Sequence, residues 1–559
     1  MIRRNSFILS RALRNFLSAS IMTSLAGQLA TTTDAVIVSH MIGPDALSAI
    51  NVVMPLTMLF SCASILIGLG ASVLAARAIG QHDKERVNRI FTTALLLLAI
   101  SGIAISLITC INCPAIVEAL CDNARITPYA TEYTEIIAGG ALFLILSNGI
   151  NYFVSTDGSP GLVTKGVLAG AIANIPLDII LVEQMGISGS AAATIVNYII
   201  TLTVVSTHFF KKSCSYSIIN PFKGIGGYIA RNIYEGLPLM LGNLLLGFAV
   251  FAINSMILSA AGADGIYIWT ICLQLLMITF IVLNGVGNAM LSVGGVLAGE
   301  KDFRGVRIMT MLLTKLVCST LALLVIAVLI FPEMLAAAFG AGNEEISGGI
   351  AAPLRIFSLL LIPFAVTLVM RFLFQILEYR ILSLVLSAGQ LAGIIACLWI
   401  FISVSPENLW WSFPVSAFIL IVLQIASTAF LSRKKGGISP ITLIPKESVE
   451  HATVSYSVAN CRESIARMLD ETRQFLHKHR VPQEKISGST SCCSIALHHF
   501  AAEMKGKKEF MDVHIRIIGE EIHTVLRKAG QKTEPPRIDG AAAIEHKYMY
   551  GQNVLFIRS

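Results

Sequence analysis

Charge is what this 559-residue chain has least of. Only 13% of its residues are Asp, Glu, Lys or Arg, against about 25% in soluble domains. A chain so poor in charge cannot present a water-facing surface over its whole length, which excludes a wholly soluble enzyme. Its Lys and Arg residues do not form one patch, so the formal charge of +7 is no nucleic-acid signal, and no nucleic-acid partner is expected. The G-x-x-x-x-G-K-[ST] phosphate loop is absent, which argues against an ATP-driven pump. Eleven cysteines show no framework. Most stand singly in apolar runs, where a reduced thiol packs as a small hydrophobe. Cys110, Cys113 and Cys121 cluster, but C-x-x-C without histidine partners is a weak metal signal. A cleavable leader is not read either: the first apolar run is too long, and no small-residue cleavage site follows it.

What the chain has in abundance is apolar length. Fifty-five per cent of it is hydrophobic, with a mean hydropathy of +0.74. A helix needs ~20 apolar residues to cross a bilayer. Twelve windows qualify, near 12–40, 47–76, 88–111, 134–156, 162–183, 187–210, 235–260, 264–291, 308–332, 349–376, 380–404 and 409–432. The fold class expected is therefore an all-α polytopic membrane protein with the lipid bilayer as solvent. Basic residues gather before the first span (Arg3, Arg4, Arg11, Arg14) and after the second, sixth, eighth and twelfth. The alternate loops, such as GPDALS and QMGIS, are nearly bare. Short loops rich in Lys and Arg stay cytoplasmic, which places both termini inside, as an even number of spans requires.

The chain also repeats itself. Gly68-Leu69-Gly70 followed by Gly80-Gln81-His82-Asp83-Lys84 returns as Gly285-Val286-Gly287 followed by Gly299-Glu300-Lys301-Asp302. IGPDALSAI (42–50) echoes AGADGIYIW (261–269). The offset of about 219 residues equals six spans, so both copies keep one orientation. Two six-helix lobes, 1–215 and 216–435, should then be related by an axis along the membrane normal, with a cavity between them. A glycine- and proline-bearing linker, 436–447, leads to a small cytoplasmic α+β domain, 448–559. There HATVSYSVA alternates like a strand, 461–480 and 483–504 read as helices, MDVHIRIIG and EEIHTVLRK as a hairpin, and NVLFIRS as a last strand.

Ionisable residues inside spans are costly and mark functional sites by default. Asp34 lies in the first span, just after Thr31, Thr32 and Thr33. Asn174-Ile175-Pro176-Leu177-Asp178 lies in the fifth. Positions four apart share a helix face, so Asn174 and Asp178 point the same way, and Pro176 frees a backbone carbonyl beside them. Two carboxylates and an amide on one wet pocket would hold a proton or a sodium ion alike. In the second half, Asn254, Gln274 and Arg371 are the polar residues offered to the wall of a substrate cavity.

Asp34 ahead of V-x-x-x-I-G-x-x-A-L, then D-G-S-P (157–160), N-x-x-L-D and M-G-I-S-G-S-A-A-A-T (185–194) resemble the MATE family of multidrug and toxic-compound extrusion transporters, over about residues 10–435. The resemblance implies a two-lobed, twelve-helix antiporter in the bacterial inner membrane. It would expel amphipathic, often cationic, small molecules against inward flow of H+ or Na+, with no cofactor and no enzymatic step. It implies ion coupling at Asp34, Asn174 and Asp178, with Thr194 on the sixth span a further member. The chain departs from the family pattern in lacking a proline in its first span. Its seventh span is read as free of buried acid, with Glu235 only at its start. Arg371 stands in a tenth span without aspartate, so no second-lobe ion site is expected.

The tail resembles, more faintly, the histidine-kinase-type ATPase fold of anti-sigma-factor kinases. His498 replaces the magnesium-holding Asn, Lys528 replaces the adenine-reading Asp, and only Gly530 of the D-x-G turn survives. Lysine has donors only, so ATP binding is expected to be lost, leaving a domain that could bind a regulatory protein. Cys492, Cys493, His498 and His499 share one helix as neighbouring pairs whose side chains diverge, which argues against zinc. Two other functions fit parts of the chain: a lipid-linked sugar flippase of the same superfamily, which should show more cationic cavity residues, and a membrane-anchored regulator acting through the tail.

Overall fold

The computed structural model describes every residue except 1–4, 122, 221–224, 335–343, 446–451, 505–508 and 539. The loop at 339–347 and the end of the linker therefore lie partly outside the described residues. Long helices follow one another as α1 (Phe7–Met41), α2 (Pro44–Gly80), α3 (Lys84–Ile111), α4 (Thr127–Gly139 and Ala141–Thr156, bent by 54°), α5 (Pro160–Met185), α6 (Ile187–Phe210), α7 (Ile225–Gly262), α8 (Asp264–Gly299), α9 (Phe303–Ile330), α10 (Gly349–Ile376), α11 (Arg380–Val404) and α12 (Pro406–Lys435). Ten of them are long and apolar enough to span a bilayer singly, and the bent α4 makes an eleventh. The 35-residue α1 is long enough, but Gln28, three threonines and Asp34 dilute it. All eleven cysteines are free thiols.

The sequence repeat is a geometric one. Gly43 (φ +129) and Gly262 (φ +64) open α2 and α8 in the left-handed region that glycine tolerates. His82 and Lys301 both take φ near +58 just before Asp83 and Asp302. Each of those aspartates caps the next helix, accepting from Arg86 N at 3.0 Å and Gly305 N at 2.9 Å. The lobes meet reciprocally. A Cβ on Gly80 would come within 2.1 Å of Val296 O, and one on Gly299 within 2.2 Å of Arg77 O. Residue i of one copy thus meets j of the other, and j meets i, as a two-fold relation demands. These contacts lie at the ends of α2 and α8 that carry the basic loops, so the lobes are sealed on that side.

The tail is a five-stranded antiparallel sheet, order β1-β2-β3-β5-β4, from β1 (Thr453–Ala459), β2 (Phe510–Ile518), β3 (Glu521–Ala529), β4 (Ala543–Met549) and β5 (Gln552–Arg558). Two helices, α13 (Arg462–Lys478) and α14 (Gln483–Glu503), cover one face. Val458, Val513, Leu526 and Leu555 pack there with Met468, Leu497 and Phe500. Alternation gives the opposite face Ser457, Asp512, His514, Arg527, Glu545 and Lys547, a polar set of the kind that usually faces water. Here Asp512, His514 and Arg527 are buried, because that face lies on the transmembrane part. Strand β4 escaped the sequence reading: AIEHKYM carries two charges and a histidine and lacks a clean alternation.

Candidate functional site

In the first lobe α1, α5 and α6 converge on a chamber of about 400 Å³. Asp34 projects into it from α1, whose Thr31, Thr32 and Thr33 hydroxyls donate to the carbonyls of Gly27, Gln28 and Leu29 at 2.9–3.1 Å. Those bonds keep the threonine-rich turn helical. Asn174 Nδ2 donates to Asp34 Oδ1 at 3.0 Å and to Asp178 Oδ2 at 2.6 Å. Thr194 Oγ1 donates to Asp34 Oδ2 at 3.2 Å. Asp34, Asn174, Asp178 and Thr194 are thus brought into one network. Asp34, Asn174 and Thr194 line the chamber, and Asp178 is wholly buried behind Asn174. Asp178 Oδ1 and Asn174 Oδ1 have no partner. Two carboxylates joined through one amide, with acceptors to spare, can take up a proton or a small hard cation. Asn197, Tyr198 and Thr201 also line the chamber and were missed. Asn197 and Thr201 follow Thr194 by three and seven residues, the spacing of one helix face, and that was the available signal.

The second lobe holds a chamber of about 390 Å³, walled by Trp269, Phe280, Phe357 and Phe413 together with Asn243, Asn284, Gln390 and Arg371. Two expected wall residues are corrected. Asn254 Oδ1 accepts from Trp269 Nε1 at 2.5 Å, tying α7 to α8, and lines neither chamber. Gln274 sits on an exposed face of α8 and also lines neither; a single polar residue in an apolar helix does not announce which face it takes.

Glu235 is a further correction. Because α7 starts at Ile225, Glu235 is three turns in and fully buried. Arg77 of α2 clasps it with two bonds of 3.0 Å. Arg380 reaches it at 2.6 Å and Gln375 at 2.9 Å. Arg77 also donates to Gln375 O and to Glu378. This acid joins the lobes on the basic side and is already saturated with cationic donors.

The tail docks beside that seal. Lys547 lies 2.8 Å from Asp157, whose carboxylate also meets His208 Nε2 at 2.7 Å, Ser215 N at 2.9 Å and the Ser215 hydroxyl. Burial opposes ionisation there, but Lys547, His208 and Ser215 outweigh it and hold the Asp157 carboxyl down at about 2. Cys214 completes a three-ligand cluster with Asp157 and His208. Burial and the Asp157 charge push its thiol up to about 11, and Lys547 already neutralises the carboxylate, so the donor set suits an internal ion pair better than a metal. Glu545 accepts from His82 at 3.4 Å and pairs with Lys84 at 2.7 Å, while Phe556 stacks on the His82 ring at 3.7 Å. On the other lobe Arg527 pairs with Glu300, and His514 Nε2 meets Glu300 O at 3.2 Å. One sheet face therefore grips both copies of the repeated loop. Lys528, on the helix-covered face, pairs with Glu503, and His498 is exposed on α14.

Known proteins match this arrangement. The MatE family model aligns with residues 19–180 and again with 238–399, the same 219-residue offset. A multidrug export protein MepA of Staphylococcus saprophyticus is 24% identical over 253 residues, 44% of this chain and 54% of that protein. A probable multidrug resistance protein YoeA of Bacillus subtilis is 23% identical over 36% of this chain and 45% of its own. The chain spans about half the length of these curated relatives. Among solved structures, an outward-facing multidrug resistance MATE family transporter of the MOP superfamily superposes with a TM-score of 0.68 at 22% identity, over 74% of this chain and 93% of that one. A MOP superfamily transporter from Pyrococcus furiosus, described as having a binding pocket of reverse polarity, gives 0.68 at 22% identity over 76% and 96%.

Proposed function

Since this chain belongs to the MatE family of multi-pass membrane transporters, we propose that it is a secondary active efflux antiporter. It exports amphipathic organic compounds in exchange for H+ or Na+ across the bacterial plasma membrane, both termini being cytoplasmic. The observation that carries this reading is the Asp34–Asn174–Asp178 network beside a chamber of the first lobe. Protonation or cation uptake there removes charge from the pocket, and that change biases the rocking of one lobe against the other. The test is Asp178→Asn in inverted vesicles. Ion-gradient-driven substrate uptake should vanish, and unaltered uptake would remove the coupling assignment. Of the intramembrane cations Lys165, Lys315 and Arg371, only Arg371 lines either large chamber, which favours this reading over a sugar-phosphate flippase.

The tail, in the same reading, acts on the transporter it is part of. Inward opening must separate the α2–α3 and α8–α9 loops. The sheet holds the first through Glu545 and Phe556 and the second through Arg527. It is a cytoplasmic latch that favours the inward-closed state, and a regulatory protein that drew it away would release the lobes.

A further inference from the structure

The two chambers adjoin, sharing Ser24, Leu69, Tyr152 and Asn288 as wall residues. Their charges are opposite. Among the residues lining the first-lobe chamber the one acidic or basic side chain is Asp34. Among those lining the second-lobe chamber it is Arg371. Arg371, partly buried, differs from three other arginines that are buried or partly buried. Arg77 and Arg380 have Glu235, and Arg527 has Glu300. Arg371 Nη1 donates to the neutral Gln390 Oε1 at 3.1 Å, and its Nε has no partner. Among the described residues no carboxylate lies within ion-pair distance of it.

A guanidinium at membrane depth without a counter-charge is costly, so a fold that keeps one has left its charge unspent. The surroundings make room for it. Gly242 on α7 passes so close that a Cβ there would sit 2.6 Å from Nη2. Aromatic walls, Trp269 and Phe280 among them, stand beside amide side chains, Asn243 and Asn284. Apolar walls with a few convergent polar groups describe a small-molecule pocket. Guanidinium is the side chain best matched to a carboxylate, being planar, permanently charged and rich in donors.

We propose that the second-lobe chamber binds amphipathic organic carboxylates, with Arg371 as counter-ion to the head group and the aromatic wall holding the body. The inference rests on the efflux reading above and narrows its substrate class to compounds carrying a negative charge. The coupling ion and the substrate then occupy chambers of opposite polarity, and loading one does not require the other to give up its site.

The test is equilibrium binding to the purified full-length protein, free of any ion gradient. The probes are dansylglycine and its uncharged amide, dansylglycinamide. The intact protein should bind the carboxylate at least about tenfold more tightly than the amide. Arg371→Gln should abolish that preference and leave amide binding unchanged, while Arg371→Lys should keep part of it. Gly242→Ala, which crowds Nη2 but keeps the charge, should weaken carboxylate binding alone. Equal binding of the two probes by the intact protein, or a preference that survives Arg371→Gln, would overturn the proposal. Chloride or inorganic phosphate displacing the probe at its own concentration would reduce the site to one for bare anions and overturn the organic part. Binding as expected, alongside Asp178→Asn vesicles that still take up substrate, would instead locate the failure in the coupling assignment.

Discussion

Lys547 lies on the penultimate strand of the chain, and its ammonium sits 2.8 Å from the carboxylate of Asp157 at the α4–α5 turn. The pair is buried on the Asp157 side and largely covered on the other. Breaking a buried pair by removing one partner costs about 3 kcal/mol. Lys547→Met should therefore loosen the docked sheet, speeding hydrogen exchange of the β4 and β5 amides by about a hundredfold. Lys485→Met, which breaks a peripheral pair with Glu520, should leave that exchange unchanged.

Docking should resist ordinary acidification. Bonds from His82 and Lys84 prevail over burial and hold the Glu545 carboxyl at about 2, below its usual 4.5. Asp157 is held at about 2, below 3.8, by Lys547, His208 and Ser215. A carboxyl whose value is depressed in the docked state contributes its stabilisation above its free value and loses it as pH falls through the docked one. The sheet should stay seated from pH 8 to pH 5 and begin to leave only below about pH 4. Distances between spin labels on α13 and on the α2–α3 loop would show this. Release near pH 6 would mean that a histidine governs the interface.

Much of this is legible in the sequence alone. Hydropathy and basic loops gave twelve helices because the bilayer imposes both length and charge asymmetry on the sequence. Asp34, Asn174, Asp178 and Thr194 all stand in family-like motifs as polar residues within apolar spans, where such groups are rare enough to be noticed, and the structure brings them into one hydrogen-bonded network. Glu235 is misplaced by the sequence because hydropathy marks where the apolar run begins, whereas α7 starts ten residues earlier, at Ile225. Asn254 and Gln274 were misplaced because a nearly all-apolar helix has no periodicity to orient it. The docking of the tail is invisible in the sequence: nothing distinguishes Asp512, His514 or Arg527 from the polar side of a solvated sheet, and β4, which carries Glu545 and Lys547, lacks the clean alternation that would announce it.

If the sheet latches the lobes together, reversing one of its charges should open them. Arg527→Glu sets a carboxylate against Glu300 and Asp302. Ser292 meets Thr156 across the lobes at 3.2 Å, so Ser292→Cys in an otherwise cysteine-free chain reports on access from the side that carries the basic loops and the sheet. Labelling by an impermeant thiol reagent should rise about tenfold with Arg527→Glu. Restored protection with Glu300→Arg added would tie the effect to this pair, and an unchanged rate in the single variant would remove the latch.

Glu235 should be among the residues least tolerant of neutralisation in stability alone. Glu235→Ala removes the buried counter-charge that Arg77, 5% exposed, and half-buried Arg380 share, leaving them only the exposed Glu378, at a cost of about 3 kcal/mol. The purified variant should unfold at a markedly lower temperature in detergent, while Glu378→Ala, whose carboxylate is 62% exposed, should lie within about 0.5 kcal/mol of the parent.

Asn174 joins two acids that would otherwise face each other without a donor between them. Its amide spans 3.0 Å to Asp34 and 2.6 Å to Asp178. With Asn174→Ala both carboxylates remain, but the group that fixes their separation is gone and one charged neighbour destabilises the other. Substrate binding at the second-lobe chamber should be untouched, since Asn174 lines only the first. Ion-driven uptake in inverted vesicles should fall by about tenfold or more, and its pH or sodium dependence should shift. Asn174→Asp puts a third carboxylate in the same place and should do worse than alanine. If alanine and aspartate both transported like the parent, the amide would be a packing residue and the coupling network would reduce to Asp34 and Thr194.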